Sequence, residues 1–313
     1  MSLTNQQKNQ HLLWRAAFGP MAENVNEIGH LSQKELYNLL LNKSSKKPNP
    51  LLFANSAMDG LVKGVEDLGR MQKLTTEQKK QLRKQSVDDI KNLNLTWLSE
   101  MINSEAQLRE KMSLFWHGHF ACRVINIYFQ QQLLNVIREN ALGNFGDLLR
   151  EVSKSPAMLS FLHNQQNKKQ HPNENFAREV MELFTMGRGN YTEKDVREGA
   201  RAYTGWGFNL GGEFVERPFL HDTGTKTFLG KTGNFDGDDV IDIILEQKAT
   251  AKFITTKIYK YFVNEDIDND KIESLSDGFY QSNYNIGKLM NEIFKSDWFY
   301  GEKNIGVRIK SPV

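Results

Sequence analysis

Amphipathic helical patterns cover most of this chain, and they limit its fold more than any other feature of the sequence. Apolar residues recur at helical spacing in many segments, for example in residues 105–123. Side chains that can cap a helix N-terminus precede several segments, at Ser32, at Thr192 and at Asp236 or Asp238. Strands do not alternate with helices in the pattern, as they would in a doubly wound sheet. The sequence therefore predicts a mainly α protein, a multi-helix globular bundle.

One stretch departs from the helical pattern. Residues 205–239, "GWGFNLGGEFVERPFLHDTGTKTFLGKTGNFDGDD", are rich in glycine and in alternating and aromatic residues. This composition and alternation predict a small β-hairpin excursion from the helical fold around residues 208–229. We expect a single large helical domain over residues 1–313, with residues 42–105 as a candidate helical insertion.

Composition and charge exclude several classes of protein. The chain has 313 residues, of which 39% are hydrophobic and 25% charged, as in folded globular proteins. The formal net charge of +2 gives no reason to expect a nucleic-acid partner. No apolar run approaches the roughly 20 residues of a membrane span, and the first 20 residues lack the apolar core of a secretory signal. The localisation therefore stays open.

The single cysteine, Cys122, cannot form an internal disulfide. It is interpreted either as a small buried apolar residue or as a nucleophile, because His117 and His119 are close in sequence.

The polar face of the predicted helix over residues 173–186 is the first candidate site. At 100° per residue, an arc of about 140° collects polar side chains and no lysine; they are Glu174, Asn175, Arg178, Glu179 and Glu182. Leu183 falls on the opposite, apolar side with Phe176, Val180 and Phe184. We expect the polar face to turn inward, with Arg178 paired to Glu174 or Glu182. It is then either a salt-bridge ladder, a buried structural network, or a functional site in which Glu179 and Glu182 bind a metal or transfer protons.

The segment "WHGHF" supplies a second candidate. On a helix, His117 and His119 point about 160° apart, so they cannot bind one ion unless Gly118 breaks the helix. His119 shares the apolar face with Leu108 and Met112, whereas His117 lies on the other side, near Glu110. A satisfied core histidine and a functional histidine are both open interpretations of this pair.

The segment "HDTGTK" supplies the third candidate site. It places His221, Asp222 and Lys226 around a turn at Gly224. Such a segment is either a polar hairpin tip or a loop that contributes to a site.

Two functions from different classes follow from these candidates. Signatures of a nucleophile elbow, a phosphate-binding loop or a zinc-protease helix are missing from the sequence. The first function is a metal-assisted hydrolase whose site lies between the central helices and the hairpin. Its expected catalytic residues are Glu179, Glu182 and Arg178; its substrate-binding residues are Asn175 and Lys226; its ligands for a divalent metal are His117, His119, His221 and Asp222.

The alternative is a non-enzymatic module that binds a protein or polysaccharide, in which the Arg/Glu cluster is a structural network. The aromatic residues that suit such a surface are Trp14, Trp97, Trp116, Trp206 and Trp298. Burial of these rings would favour a core role for them instead.

Four segments together carry a resemblance to a known family. They are "HLLWRAAFGP", "LFWHGHF", "NENFAREVMELFTMGRGNYTEKDVREGARAYTGW", and "FLHDTGTKTFLG" leading into "IDIILEQKATAKFITTKIYKYFV". With these segments, over residues 11–263, the chain resembles the bacterial domain of unknown function 1800 (DUF 1800) family. The resemblance implies a common fold but no activity, cofactor or catalytic residue. Members of the family run on past "KSPV", so we expect the sequence to lack the family's C-terminal part.

Overall fold

The protein is mainly α, as the sequence predicts. A computed structural model describes residues 3–20, 27–54, 75–209 and 211–308. The α-helices in this part of the chain are α1 (Asn5–Ala16), α2 (Gln33–Lys43), α3 (Thr76–Asn103), α4 (Gln107–His119), α5 (Ile127–Asn140), α6 (Phe145–Lys154), α7 (Pro156–Phe161), α8 (Asn175–Glu179), α9 (Glu193–Ala202), α10 (Gly237–Leu245), α11 (Lys248–Phe262), α12 (Asn269–Gln281) and α13 (Ile286–Lys295). Of the helices within the described ranges, none combines the length and the apolar character needed to cross a bilayer.

Capping side chains begin the helices where the sequence predicts them. Ser32, Thr192 and Asp236 each accept a hydrogen bond from the backbone three residues on, and the acidic residue at that position bonds back to the cap. Each reciprocal pair satisfies two backbone donors that a helix N-terminus leaves without partners. These starts are therefore encoded locally.

The β region consists of two small antiparallel sheets. Strands β1 (Trp206–Phe208) and β2 (Phe214–Glu216) form one pair, and β3 (Lys226–Phe228) and β4 (Lys231–Gly233) form the other. The predicted excursion exists but is divided in two. A 3₁₀ turn at Pro218–Leu220 and the loop after it separate the two hairpins.

One large apolar core joins most of the helices. It includes the aromatic rings of Trp116, Phe120 and Phe145, each at most 1% exposed. A smaller apolar cluster joins the start of α5 to α3 and the chain before it; its buried members are Leu51, Ala54, Leu93, Trp97, Met101, Ile127 and Leu134. This separate packing suits the interpretation of residues 42–105 as an insertion, which stays a prediction.

The helix that carries the candidate carboxylates changes its winding in the middle. It is α-helical over Asn175–Glu179 and continues as a π-helix over Val180–Thr185. The wider i→i+5 turn rotates later side chains relative to an α-helix. Leu183 is consequently 47% exposed, so its predicted place on the buried apolar side is wrong.

Candidate functional site

We use the name carboxylate face for the polar side of this helix; it comprises Glu174, Asn175, Arg178, Glu179 and Glu182. Asn175 is exposed, and the other four side chains are half-buried. The inward turn expected for this face is therefore only partial. Helix α8 packs against α9, and the π-helix packs against α11, so the face lies on a well-supported element.

Arg178 is held by two carboxylates. Its guanidinium donates to both oxygens of Glu193 at 2.7 and 2.8 Å, and to Glu174 at 3.1 Å. The expected pairing with Glu174 is confirmed, whereas Glu182 has other partners. The hydrogen bonds from Arg178 lower the pKa of Glu193. Arg178 thus ties α8 to the first turn of α9.

Glu182 is fully engaged by the loop that follows the π-helix. Its carboxylate accepts hydrogen bonds from the Tyr191 hydroxyl at 2.7 Å and from Arg188 Nε at 2.5 Å. These two bonds lower the pKa of Glu182, and burial together with the bond to Glu182 raises the pKa of Tyr191 to about 12. The side chain of Glu182 is 17% exposed, while that of Arg188 is 86% exposed.

Glu179 has a different environment, although it lies one turn from Glu182. Its carboxyl makes no hydrogen bond or ion pair within the described ranges, and the side chain is half-buried. Burial raises its pKa, and the negative charge of Glu182 raises it further; Arg178 and Arg188 oppose these effects. Two neighbouring carboxyls therefore have pKa values shifted in opposite directions, which is typical of acid–base pairs.

His119 lies on the buried side of the π-helix and satisfies its backbone. The Nε2–H tautomer accounts for both contacts: Nε2 donates to the Phe184 carbonyl (3.1 Å), and Nδ1 accepts from the Lys257 ammonium (3.3 Å). Lys257 also donates to the Leu183 carbonyl at 3.0 Å. Burial, with the nearby charge of Lys257, lowers the pKa of His119 to about 3. This is a neutral, satisfied core histidine with neither nitrogen directed to a metal.

His117 points to another part of the molecule. Helix α4 continues through Gly118 to His119, so the two histidines diverge as the helical geometry requires. The imidazole of His117 packs on Trp97, with ring centroids 5.1 Å apart, and burial lowers its pKa.

The "HDTGTK" loop is tied down by its own neighbours. Arg201 donates to Asp222 at 2.7 Å, and His221 Nδ1 lies 2.9 Å from the Thr204 carbonyl. The ammonium of Lys226, a residue only 1% exposed, donates to the carbonyls of Asp222 and Gly224. Lys226 therefore has its charged end inside the loop, away from solvent.

These positions do not support convergence of the predicted ligands on one metal ion. Across residues 3–20, 27–54, 75–209 and 211–308, no three His, Cys, Asp or Glu side chains are grouped closely enough to hold one. His119 and Asp222 are already committed to protein groups. Cys122 is half-buried against the core, and burial raises its pKa to about 12, which disfavours the thiolate that a nucleophile needs.

A second charged cluster, which we call the buried network, was missed by sequence reasoning. Glu110 and Arg138, each 1% exposed, form a two-pronged ion pair with the shortest contact at 2.8 Å. Glu110 also accepts from Trp97 Nε1 at 2.9 Å, and Arg138 donates to the Asn49 carbonyl at 2.7 Å. The four residues come from four different segments, so no local sequence spacing predicts the ion pair of Glu110 with Arg138.

Sequence reasoning also missed three partners of the carboxylate face: Arg188, Tyr191 and Glu193. All three lie just after the helix, in "GRGNYTE". A search restricted to (i, i+4) spacing overlooks them, although their nearness in sequence to Glu182 was an available signal.

Comparison with known proteins agrees with the resemblance noted in the sequence. The chain matches the family described as "Protein of unknown function (DUF1800)" over residues 11–313. No curated protein and no solved structure matches it significantly. Because the match covers nearly the whole chain, the protein belongs to the DUF1800 family of proteins of unknown function.

Proposed function

We propose that the carboxylate face is the acid–base site of a hydrolytic enzyme and that Glu179 transfers the proton. The supporting observation is that Glu179 has a raised pKa and no hydrogen-bond or ion-pair partner in the described part of the chain. A carboxyl with a raised pKa can accept a proton from an attacking water and return it to a leaving group near neutral pH.

Glu182 plays the complementary part in this proposal. The bonds from Tyr191 and Arg188 keep it ionised, so its negative charge favours the protonated form of Glu179. A π-turn in the supporting helix is a second favourable sign, because such turns occur frequently at functional sites.

The remaining residues of the face have supporting roles. Arg178 is a positioning residue, because Glu193 and Glu174 already occupy its guanidinium. Arg188 is largely exposed and binds an anionic or carbonyl group of the substrate. Asn175 is exposed on the same arc and offers a substrate hydrogen bond, although its amide nitrogen also donates to the Leu162 carbonyl at 3.3 Å.

A divalent metal at this face would have Glu179 as its free carboxylate ligand, because both oxygens of Glu182 already accept hydrogen bonds from Tyr191 and Arg188. Catalytic zinc sites usually have three protein ligands, so such an ion would need water or substrate at its other positions. Among the predicted site residues, His117, His221, Asp222 and Lys226 are engaged elsewhere and have no part in this proposal.

The proposal is tested by titration and by activity. Carbon-13 NMR of the glutamate carboxyls should give Glu179 a pKa above the ordinary value of a glutamate. On a panel of chromogenic esters, amides, glycosides and phosphate esters, Glu179→Gln should lower the turnover of any hydrolysed substrate by about 10²–10⁴-fold.

The control variant is Glu151→Gln, which changes an exposed glutamate outside the face and should leave turnover unchanged. An ordinary pKa for Glu179 would overturn the proposal. Hydrolysis that survives in Glu179→Gln at the wild-type rate would overturn it as well.

A polar cavity favours a second candidate function, the binding of a polysaccharide. The cavity, of about 720 Å³, lies between α6, the end of α10 and the turn after α12. Amides, carboxylates and tyrosine rings line it, a combination that suits sugar hydroxyls and sugar faces; its lining includes Asn144, Asp242, Tyr280, Gln281, Asn283 and Tyr284. By contrast, Trp97, Trp116 and Trp206 are buried in the core and cannot contact a sugar.

Calorimetric titration with soluble oligosaccharides tests this second candidate. Binding that is lost in Tyr280→Ala and kept in Phe219→Ala, an exposed aromatic outside the cavity lining, would support it. Absence of binding, or equal binding in both variants, would remove the candidate.

A further inference from the structure

Three cations meet at the junction of α1, α4 and α11. We call Arg15 of α1, Lys111 of α4 and Arg308 near the C-terminus the cationic cluster. Lys111 Nζ lies 5.9 Å from the centroid of the Tyr261 ring, and Arg308 Cζ lies 5.7 Å from the same centroid. Lys111 also lies over Phe18, at 4.6 Å. Lys111 and Arg308 thus lie near the same aromatic ring, that of Tyr261.

Few negative groups balance these charges. Arg308 pairs with Glu265, which is the one ion pair of the cluster with a described residue. Arg15 is 7% exposed and, among the described residues, donates one long hydrogen bond, 3.4 Å, to the Asn304 carbonyl. Lys111 is half-buried and makes no hydrogen bond or ion pair within the described ranges. Within the described ranges, three cations and one carboxylate give the cluster an excess of two positive charges.

Burial and the clustering of positive charges lower the pKa values of Lys111 and Arg15. Burial, together with the positive charges of Arg15 and Arg308, lowers the pKa of Lys111 to about 8. Burial and Arg308 likewise lower the pKa of Arg15 to about 10. Like charges held together in a partly dry site raise the free energy of the folded protein unless an anion joins them.

A buried histidine next to the cluster has one ring nitrogen without a described hydrogen-bond partner. His11 lies one turn before Arg15 on α1 and is 6% exposed. Its ring bonds to the backbone of Phe299, while the buried Nε2 atom has no hydrogen-bond partner in the described part of the chain. Burial and the charge of Arg15 lower its pKa to about 4, so the ring is neutral near pH 7. A neutral imidazole nitrogen can accept a hydrogen bond from a protonated oxygen.

We propose that the cationic cluster is a binding site for a phosphate group, either free phosphate or the phosphate of a monoester ligand. The excess of two charges matches a phosphate dianion, and the two guanidinium groups suit its oxygens. Hydrogen phosphate, the dianion of free phosphate, carries one hydroxyl that can donate to a neutral imidazole nitrogen such as His11 Nε2, whereas the dianion of a monoester carries none. The site uses Arg15 and Phe18 of the "HLLWRAAFGP" segment, which the carboxylate face does not involve, so this proposal is independent of the proposed hydrolysis.

Inorganic phosphate is the probe for the first experiment, with calorimetry and thermal unfolding as the measurements. Phosphate should bind the 313-residue protein and raise its Tm. Lys111→Met should weaken binding by about tenfold or more, because it removes one charge-assisted hydrogen bond. Lys111→Arg keeps the charge and should retain binding, which separates loss of charge from damage to the fold.

The matched control is Lys295→Met. Lys295 is also half-buried and lies over a tyrosine ring, that of Tyr37 at 5.7 Å, but it is outside the cluster. It should leave phosphate affinity unchanged. Tighter binding of glycerol 3-phosphate than of phosphate would assign the site to an esterified phosphate, and the reverse order would assign it to the free anion. The proposal is overturned if wild-type protein does not bind either probe, or if a correctly folded Lys111→Met binds phosphate as well as wild type.

Discussion

In the buried network, Glu110 accepts hydrogen bonds from Arg138 and Trp97 and is 1% exposed, whereas Glu179 on the carboxylate face is half-buried with no such partner within the described ranges. A fully paired, fully buried carboxylate has no capacity left for a ligand or a proton. Glu179 keeps that capacity, because its neighbours shift its pKa without bonding to it. The difference favours a structural role for the buried network and agrees with the acid–base role that we propose for the carboxylate face.

The largest loss in the free energy of unfolding is expected for Arg138→Met in the buried network. It would leave the Glu110 carboxylate buried without its counter-ion, at a cost of about 3–5 kcal/mol in the free energy of unfolding. Urea unfolding measures this loss. The double variant Glu110→Leu with Arg138→Met should recover part of it, because neither member of the pair is then left buried without its counter-ion. A loss below about 1 kcal/mol would contradict the structural role.

A smaller effect is expected for Tyr191→Phe, which removes one of the two hydrogen bonds to Glu182. The free energy of unfolding should fall by about 1 kcal/mol. The pKa of Glu182 should rise, because the bond from Tyr191 is the first cause of its lowering. Urea unfolding and carboxyl NMR measure the two changes. Tyr128→Phe is a control, since the Tyr128 hydroxyl makes no hydrogen bond with the described residues, and an equal loss there would contradict the prediction.

The smallest effect is expected for Glu179→Gln, and its size depends on pH. The folded protein holds the Glu179 proton more tightly than the unfolded chain, whose pKa is near 4.5. Wild type therefore loses stability as the pH rises from about 4.5 through the higher pKa of the folded state. Glu179→Gln lacks this loss, so its stability relative to wild type should increase across that range. Urea unfolding at a series of pH values measures the difference.

Glu182→Gln should show the opposite slope. The folded pKa of Glu182 is lowered, so wild type loses stability as the pH falls below about 4.5, and the variant lacks that loss. Parallel pH dependences in Glu179→Gln and Glu182→Gln would contradict the opposed environments of the two carboxyls.

Local features of this fold were predictable, and contacts between distant segments were not. Ser32, Thr192 and Asp236 were recognised because a cap needs only a few consecutive residues. Arg138 and Glu110 are 28 residues apart, and their pairing depends on how α4 and α5 pack. No spacing rule available from one sequence identifies such a pair.

The candidate site was predicted in part, for the same reason. The polar arc of residues 174–182 follows from helical periodicity. The π-turn inside it depends on Lys257 and His119, which come from α11 and α4 and satisfy the Leu183 and Phe184 carbonyls. Likewise, the cationic cluster is assembled from residues almost 300 positions apart in the sequence.

The π-helix makes the geometry of the carboxylate face depend on chain length as well as on residue identity. A π-turn contains one residue more than the α-turn it replaces, so it behaves as a single-residue insertion within a helix. Deleting one residue between Val180 and Thr185 would restore the α-helical phase. The residues after the deletion would then be rotated by about 100° around the helix axis. The Tyr191 loop would then meet a different side of the helix. Deleting one residue would therefore separate Glu182 from Tyr191 and Arg188, although every charged side chain is retained. Glu179 and Glu182 would then have similar environments instead of opposed ones.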